Sequence, residues 1–202
     1  MIAVVDYGVG NLFSLCSSLR AIGAEVCVTA DPERICSADK IILPGVGAFG
    51  DAADKLRETG LDRVVLAEAQ KGKNLLGICL GMQLLFQKSY EYGEHAGLGL
   101  LNGSVVSMEG RIPSGLKIPH IGWNALHFRR QNKLLRHIRE GDCVYFVHSY
   151  YAEGCQDSLV ATAEYGRELT AIVAKDNVMG CQFHPEKSGN VGLQILRAFC
   201  ED

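Results

Sequence analysis

The first half of the chain alternates short β-rich runs with stretches of helical period. The runs fall at residues 2–5, 25–29, 40–43 and 74–78, and the last is apolar at successive positions, as a strand buried on both faces of a sheet requires. Leu12, Leu15, Cys16 and Leu19 recur at i, i+3, i+4 and i+7, which predicts a helix over 12–22 with Asn11 capping its start and Gly23 ending it. Helical patterns return over 51–59 and 61–70. Strand, helix and strand in repeated succession predict an open, mostly parallel twisted sheet wrapped by helices.

Beyond about residue 100 the texture changes. Segments at 103–108, 120–128, 143–151, 159–165 and 169–183 are rich in β-branched and aromatic residues and separated by turn residues. They predict antiparallel strands added to the first sheet, or a small second sheet. A closing helix is expected over 188–200. No repeat, low-complexity tract or linker interrupts the pattern, so the expected organisation is one α/β domain over 1–202.

Composition narrows the function classes. The 202 residues are 48% hydrophobic and 21% charged, which suits a folded globular chain and not a disordered one. A formal net charge of −3 gives no electrostatic footprint for nucleic acid, and the one short basic cluster, Arg129-Arg130, reads as a solvated turn. No apolar run approaches the roughly 20 residues that cross a bilayer. The opening Met1-Ile2-Ala3-Val4-Val5-Asp6 reads as a strand and not a signal peptide, so the expected location is the cytoplasm, with no membrane partner. The eight cysteines are scattered at 16, 27, 36, 79, 143, 155, 181 and 200 in a chain too large to need staples. None has CxxC spacing, so a structural zinc site is not expected; no other metal and no cofactor is expected either.

One cysteine stands where chemistry would want it. Gly77-Ile78-Cys79-Leu80-Gly81 follows the apolar strand and precedes a helical pattern at 82–87. It is the thiol counterpart of the G-x-S-x-G elbow, whose glycines permit a sharp strand-to-helix turn. A helix N-terminus favours thiolate over thiol, and the backbone N–H of Leu80 is a natural oxyanion donor. Taken alone, the pattern fits equally well a buried cysteine in a tight connection.

A thiolate that transfers an acyl group needs an imidazole to protonate the leaving amine, and the imidazole needs an orienting group. His184 is the best candidate, in Gly180-Cys181-Gln182-Phe183-His184-Pro185-Glu186, with Glu186 placed to curl back beneath the ring. An isolated His-x-Glu is better read as a polar strand end with a solvated carboxylate, and a zinc reading lacks the downstream cysteine pair. His148 is the second candidate base, or a structural residue lining the pocket. His95, His127 and His137 lie in polar or basic surroundings and are expected at the surface.

The elbow cysteine followed by Phe183-His184-Pro185-Glu186 resembles the class I, triad-type glutamine amidotransferases, whose catalytic residues occur in the order Cys, His, Glu. The resemblance runs from residue 4 to the C-terminal helix and includes Asp6-Tyr7-Gly8-Val9-Gly10-Asn11-Leu12 and Pro119-His120-Ile121-Gly122-Trp123-Asn124. Pro44-Gly45-Val46-Gly47-Ala48-Phe49 and Lys187-Ser188-Gly189 resemble the histidine-pathway branch in particular. Cys181 and Asn190 depart from the pattern without touching the triad.

The resemblance implies a flavodoxin-like sheet and the following roles. Cys79 would attack the side-chain amide of glutamine, His184 would protonate the departing ammonia, and Glu186 would orient His184. Gly45 and Val46 would form an oxyanion loop with Leu80, with access of Gly45 to positive φ letting its peptide turn. Gln83 and Glu91 would bind the glutamine head group, Glu91 facing its ammonium, while Ser149 and Tyr150 would offer backbone groups to its carboxylate. Without the resemblance, Gln83 reads as an exposed helix residue and Glu91 as a solvated loop. The partner implied is a separate (β/α)₈ cyclase subunit in a heterodimer. It would receive ammonia through a channel and convert a ribotide into imidazole glycerol phosphate and aminoimidazole carboxamide ribotide. Asn11, Pro119, His120 and Trp123 are candidate contacts; Trp123 also fits an ordinary core position. Two other readings keep the fold: ammonia supply to a sugar-amidating synthase, and a free-standing γ-glutamyl cysteine hydrolase. A scaffold without activity would be expected to lack a triad member.

Overall fold

The computed structural model describes residues 1–201. Four strands, β1 (Ile2–Val5), β2 (Val26–Thr29), β3 (Lys40–Leu43) and β4 (Asn74–Ile78), alternate with α1 (Leu12–Ala21), α2 (Pro32–Ser37), α3 (Phe49–Glu58) and α4 (Leu61–Gln70). The short α5 (Leu80–Leu84) leads into β5 (Phe86–Ser89), β6 (His95–Ala96) and β7 (Leu101–Ser107). Then come β8 (His120–Phe128), β9 (Cys143–His148), β10 (Tyr150–Glu153), β11 (Leu159–Glu164), β12 (Glu168–Lys175), β13 (Val178–Cys181) and α6 (Gly189–Cys200).

Nine strands form one sheet in the order β2-β1-β3-β4-β13-β12-β11-β8-β9, and β10-β7-β5-β6 form a second. The large sheet is parallel from β2 through β13 and antiparallel from β13 through β9. Both expected additions are therefore present: antiparallel strands on the first sheet and a separate small one. β1, β3 and β13 are buried at every position, because helices or the second sheet cover both faces. One face packs Leu15, Leu19, Leu196 and Phe199 of α1 and α6. The other packs Ile35, Ala52, Leu56 and Val65 of α2, α3 and α4, continuing into Leu101, Val105 and Ala152 of the second sheet.

Several local expectations are corrected. Asn11 does not cap α1 through its side chain, which donates instead to Ser14 Oγ at 3.1 Å. The helix expected over 82–87 begins at Leu80 and ends at Leu84, and Phe86 already belongs to a strand. The segment 143–151 is two strands in two different sheets, broken at Ser149. The segment 169–183 is a hairpin, turning through Asp176 at φ +52°. The cysteines are all free thiols, and among the described residues no helix is long and apolar enough to cross a membrane.

Candidate active site

The parallel strands all point the same way, so their carboxyl ends converge on one edge of the sheet, where open α/β sheets build ligand sites. β4 and β13 are neighbours in register, Ile78 opposite Cys181. The residues that follow them, Cys79 and Gln182, emerge side by side, and the Cys79 amide donates to the Cys181 carbonyl at 2.8 Å. Cys79 takes φ +54° and ψ −110°, a left-handed conformation that a side chain rarely adopts and that marks a functional turn. Close approach enforces the elbow: a Cβ on Gly81 would lie 1.8 Å from the Leu43 carbonyl oxygen. The sulfur sits at the floor of a cleft of about 740 Å³ that His184, Gln83, Glu91 and Tyr150 also line.

His184 follows β13 by three residues and is fixed from both ends. Its backbone amide donates to the Tyr145 carbonyl at 3.1 Å, and its own carbonyl accepts from Ser188 Oγ at 2.7 Å. Pro185 opens a 3₁₀ turn, Pro185–Lys187, which brings Glu186 back under the ring. His184 Nδ1 then lies 2.8 Å from Glu186 Oε1, with both side chains buried. A carboxylate can only accept, so Nδ1 carries the proton, and Nε2 is left to meet Cys79. Burial alone would depress the imidazole's pKa, but its interactions with the sulfur and the carboxylate raise it to about 9. The expected reading of Glu186 as an alternative solvated carboxylate is thereby excluded.

The sequence model described as Glutamine amidotransferase class-I matches residues 3–202. The chain belongs to that family. Relatives called "Imidazole glycerol phosphate synthase subunit HisH" span it almost end to end. The one from Bacillus velezensis is 52% identical over 98% of this chain and 95% of its own length. The one from Caldanaerobacter subterraneus subsp. tengcongensis is 49% identical over 100% and 98%. Solved structures share the fold at low identity. A crystal structure of a glutamine amidotransferase superposes with a TM-score of 0.77 at 20% identity, covering 99% of this chain and 97% of its own. The structure of PurLQS from Thermotoga maritima gives 0.76 at 23%, covering 98% and 96%.

The other residues expected from the class-I amidotransferase pattern are placed as follows. Gly45 is buried and does not use positive φ; that conformation belongs to Gly47, at +97°. Gly45 is required instead by crowding, since a Cβ there would sit 2.8 Å from Tyr7 Oη and 2.9 Å from the Gly81 nitrogen. Tyr7 donates its hydroxyl to the Pro44 carbonyl at 2.8 Å and so pins the start of the loop, while burial holds that hydroxyl protonated. Val46 is exposed at the cleft rim. Leu80 opens α5, so its amide is among the first-turn donors that no helical carbonyl reaches.

Gln83 is buried, not exposed, and its amino group donates to the Tyr150 carbonyl and to Gln182 Oε1, each at 3.0 Å. Glu91 is no solvated loop residue: its Oε2 accepts the Phe49 amide at 2.7 Å, which caps α3. Burial raises its pKa, and that amide opposes the rise. Ser149 and Tyr150 border the cleft, their carbonyls accepting from the Met108 amide and from Gln83 and His148 respectively, and of their backbone groups only the amides could meet a carboxylate there.

His148 also lines the cleft, yet it is not poised as a base. Its Nδ1 donates to the Tyr150 carbonyl at 2.9 Å, and its Nε2 lies 3.1 Å from His120 Nδ1. Burial drives its pKa down to about 3. His120, grouped in sequence with the exposed contacts, is buried against Phe146 and Tyr165, with Nε2 2.7 Å from the Asn124 amide. Its side chain therefore faces inward. Trp123 is the opposite case, 55% exposed and edge-on to Tyr145, with Asn11 and Pro119 also exposed. Sequence reasoning missed Gln182, fully buried with Nε2 3.7 Å from Cys79 Sγ. The strand pairing that reveals it leaves no mark in a single sequence.

Proposed function

We propose that the chain is the glutaminase subunit of an imidazole glycerol phosphate synthase, and that Cys79, His184 and Glu186 are its catalytic triad. The observation that carries the reading is the buried His184 held between Cys79 and Glu186 at the floor of the cleft. The end-to-end similarity to synthase subunits supports the choice of pathway.

The Cys79 thiolate attacks the amide carbon of glutamine, and the developing oxyanion is met by the Leu80 amide and by an amide of the Gly45-Val46 loop. Loss of one such donor typically costs about 3 kcal/mol of barrier. His184, protonated on Nε2, gives that proton to the nitrogen as the C–N bond breaks, releasing ammonia and leaving a γ-glutamyl thioester. It then takes a proton from water, whose oxygen attacks the thioester, and glutamate departs as the sulfur is regenerated. Glu186 keeps Nδ1 protonated and the ring aimed throughout. Gln83 and Glu91 contact the glutamine head group, together with Ser149 and with Tyr150, whose carbonyl Gln83 itself holds.

Ammonia becomes protonated and unreactive in water at neutral pH, so its release is useful only into a channel. We assign the receiving partner as a separate (β/α)₈ cyclase subunit, docked over Asn11, Pro119 and Trp123. Ile118 and Ile121, both well exposed, extend that apolar face. A cytoplasmic heterodimer built on one glutaminase domain, 1–202, follows from this assignment.

The test is glutamate release from glutamine by the wild-type chain and by Cys79→Ala, each alone and with a cyclase subunit plus its ribotide ligand. The reading expects release from the wild-type complex and none from the variant. Vigorous turnover by the chain alone would move it to a free-standing γ-glutamyl hydrolase.

A further inference from the structure

A single run of hydrogen bonds crosses the floor of the cleft and ends on the nucleophile, and the direction of every bond in it is fixed. It begins at the Tyr150 carbonyl, which can only accept. His148 Nδ1 donates to it at 2.9 Å and Gln83 Nε2 at 3.0 Å, so the atom of Gln83 facing that carbonyl is its amino nitrogen. The same nitrogen is 3.0 Å from the side chain of Gln182, whose near atom must therefore be the oxygen. The amino end of Gln182 is left pointing at Cys79 Sγ, 3.7 Å away. Turning the Gln182 amide over would set two amino groups face to face at one end and an oxygen against the sulfur at the other.

The placement is rigid as well as directed. Gln182 is fully buried, and its backbone amide donates to the Ala171 carbonyl at 2.9 Å. It follows β13 as Cys79 follows β4, on adjacent parallel strands in register. An N–H held in a dry site against a sulfur atom favours the negatively charged form of that sulfur over the neutral one. His184 meets the same atom and supplies the mobile proton. Gln182 supplies a donor that cannot be titrated away.

We propose that Gln182 is a further catalytic residue, a fixed donor that stabilises the Cys79 thiolate before attack and again when the sulfur leaves the thioester, with Gln83 as the positioning residue that sets its polarity. This rests on Cys79 being the nucleophile, and the test separates the two claims. Gln182→Glu preserves shape and can still accept from Gln83, but it replaces the donor by a negatively charged acceptor. Gln182→Met preserves approximate volume and removes both functions.

The measurement is the rate of Cys79 alkylation by iodoacetamide across pH in the full chain bound to its cyclase subunit, read by mass spectrometry of the Cys79 peptide, beside the pH profile of glutamate release. The midpoint of the alkylation profile should move upward from wild type by about one pH unit in Gln182→Met and further in Gln182→Glu. The acid limb of kcat should move with it while KM for glutamine changes little. Melting temperature identifies a variant that fails to fold, and the near-isosteric Gln182→Glu then carries the test. Unshifted alkylation profiles in both folded variants, with Cys79→Ala inactive, would overturn the donor role and leave the glutaminase reading standing. Undiminished glutamate release by Cys79→Ala would overturn both.

Discussion

Two buried histidines line the same cleft and are driven in opposite directions. His184 faces a carboxylate and a sulfur, and its pKa rises to about 9; His148 faces a carbonyl and a second imidazole, and its pKa falls to about 3. Burial opposes the charged form in both. What separates them is whether a partner can be an anion. A neutral acceptor orients a ring without stabilising its charge, whereas Glu186 does both. The first environment suits the acid and base proposed above; the second suits a rigid strut that holds the Tyr150 carbonyl.

The largest effect should come from removing the ring that carries protons. His184→Ala is expected to lower glutamate release by the synthase complex about 10⁴-fold, and His148→Phe by less than about tenfold. Equal losses would erase the distinction. Next, Glu186→Gln leaves an acceptor for Nδ1 but removes the anion, and should cost up to about 10⁴-fold in kcat, with His184 titrating lower by NMR. A titration unchanged from wild type would show that the carboxylate charge is not what raises it.

The same contrast appears in stability against pH. His184 is raised above its usual 6.5, so its contribution is complete below 6.5 and is lost as pH rises through about 9. His148 is lowered, so its contribution is complete above 6.5 and is lost as pH falls from there toward about 3. Each titration contributes a slope of up to about 1.4 kcal/mol per pH unit, with opposite signs. Urea midpoints should fall on both sides of neutrality, and His148→Phe should flatten the acid side alone. The smallest effect is expected from Asn124→Ala, which strips His120 of a partner: about 1–2 kcal/mol of stability with kcat within about threefold. A large catalytic loss there would mean that the histidine pair serves chemistry after all.

The parallel half of the fold was legible because its signals are local. The runs at 2–5, 40–43 and 74–78 and the helix at 61–70 coincide with β1, β3, β4 and α4, since a strand buried on both faces is apolar wherever it pairs. The antiparallel half was legible only as texture. Nothing near Ser149 announces that His148 ends a strand in one sheet and Tyr150 begins one in the other; that depends on β7 and β8, far away in the chain. The site divides in the same way. Cys79, His184 and Glu186 sit in short motifs that carry their own turns, while Gln182 and the inward His120 acquire meaning only from neighbours across the sheet. Glu91 appeared as a loop residue because the amide it caps lies 42 residues earlier.

β13 is the last strand in chain order, yet it lies fifth across the large sheet, between β4 and β12. Its pairing with β12 is a local hairpin, but its pairing with β4 joins residues about a hundred positions apart, a slow and non-local step. Until β13 pairs with β4, the Cys79 thiol has neither His184 nor Gln182 beside it. On the proposed triad, a ribosome-bound chain that has not yet delivered β13 is a silent precursor, and the site is assembled only when the sheet is completed.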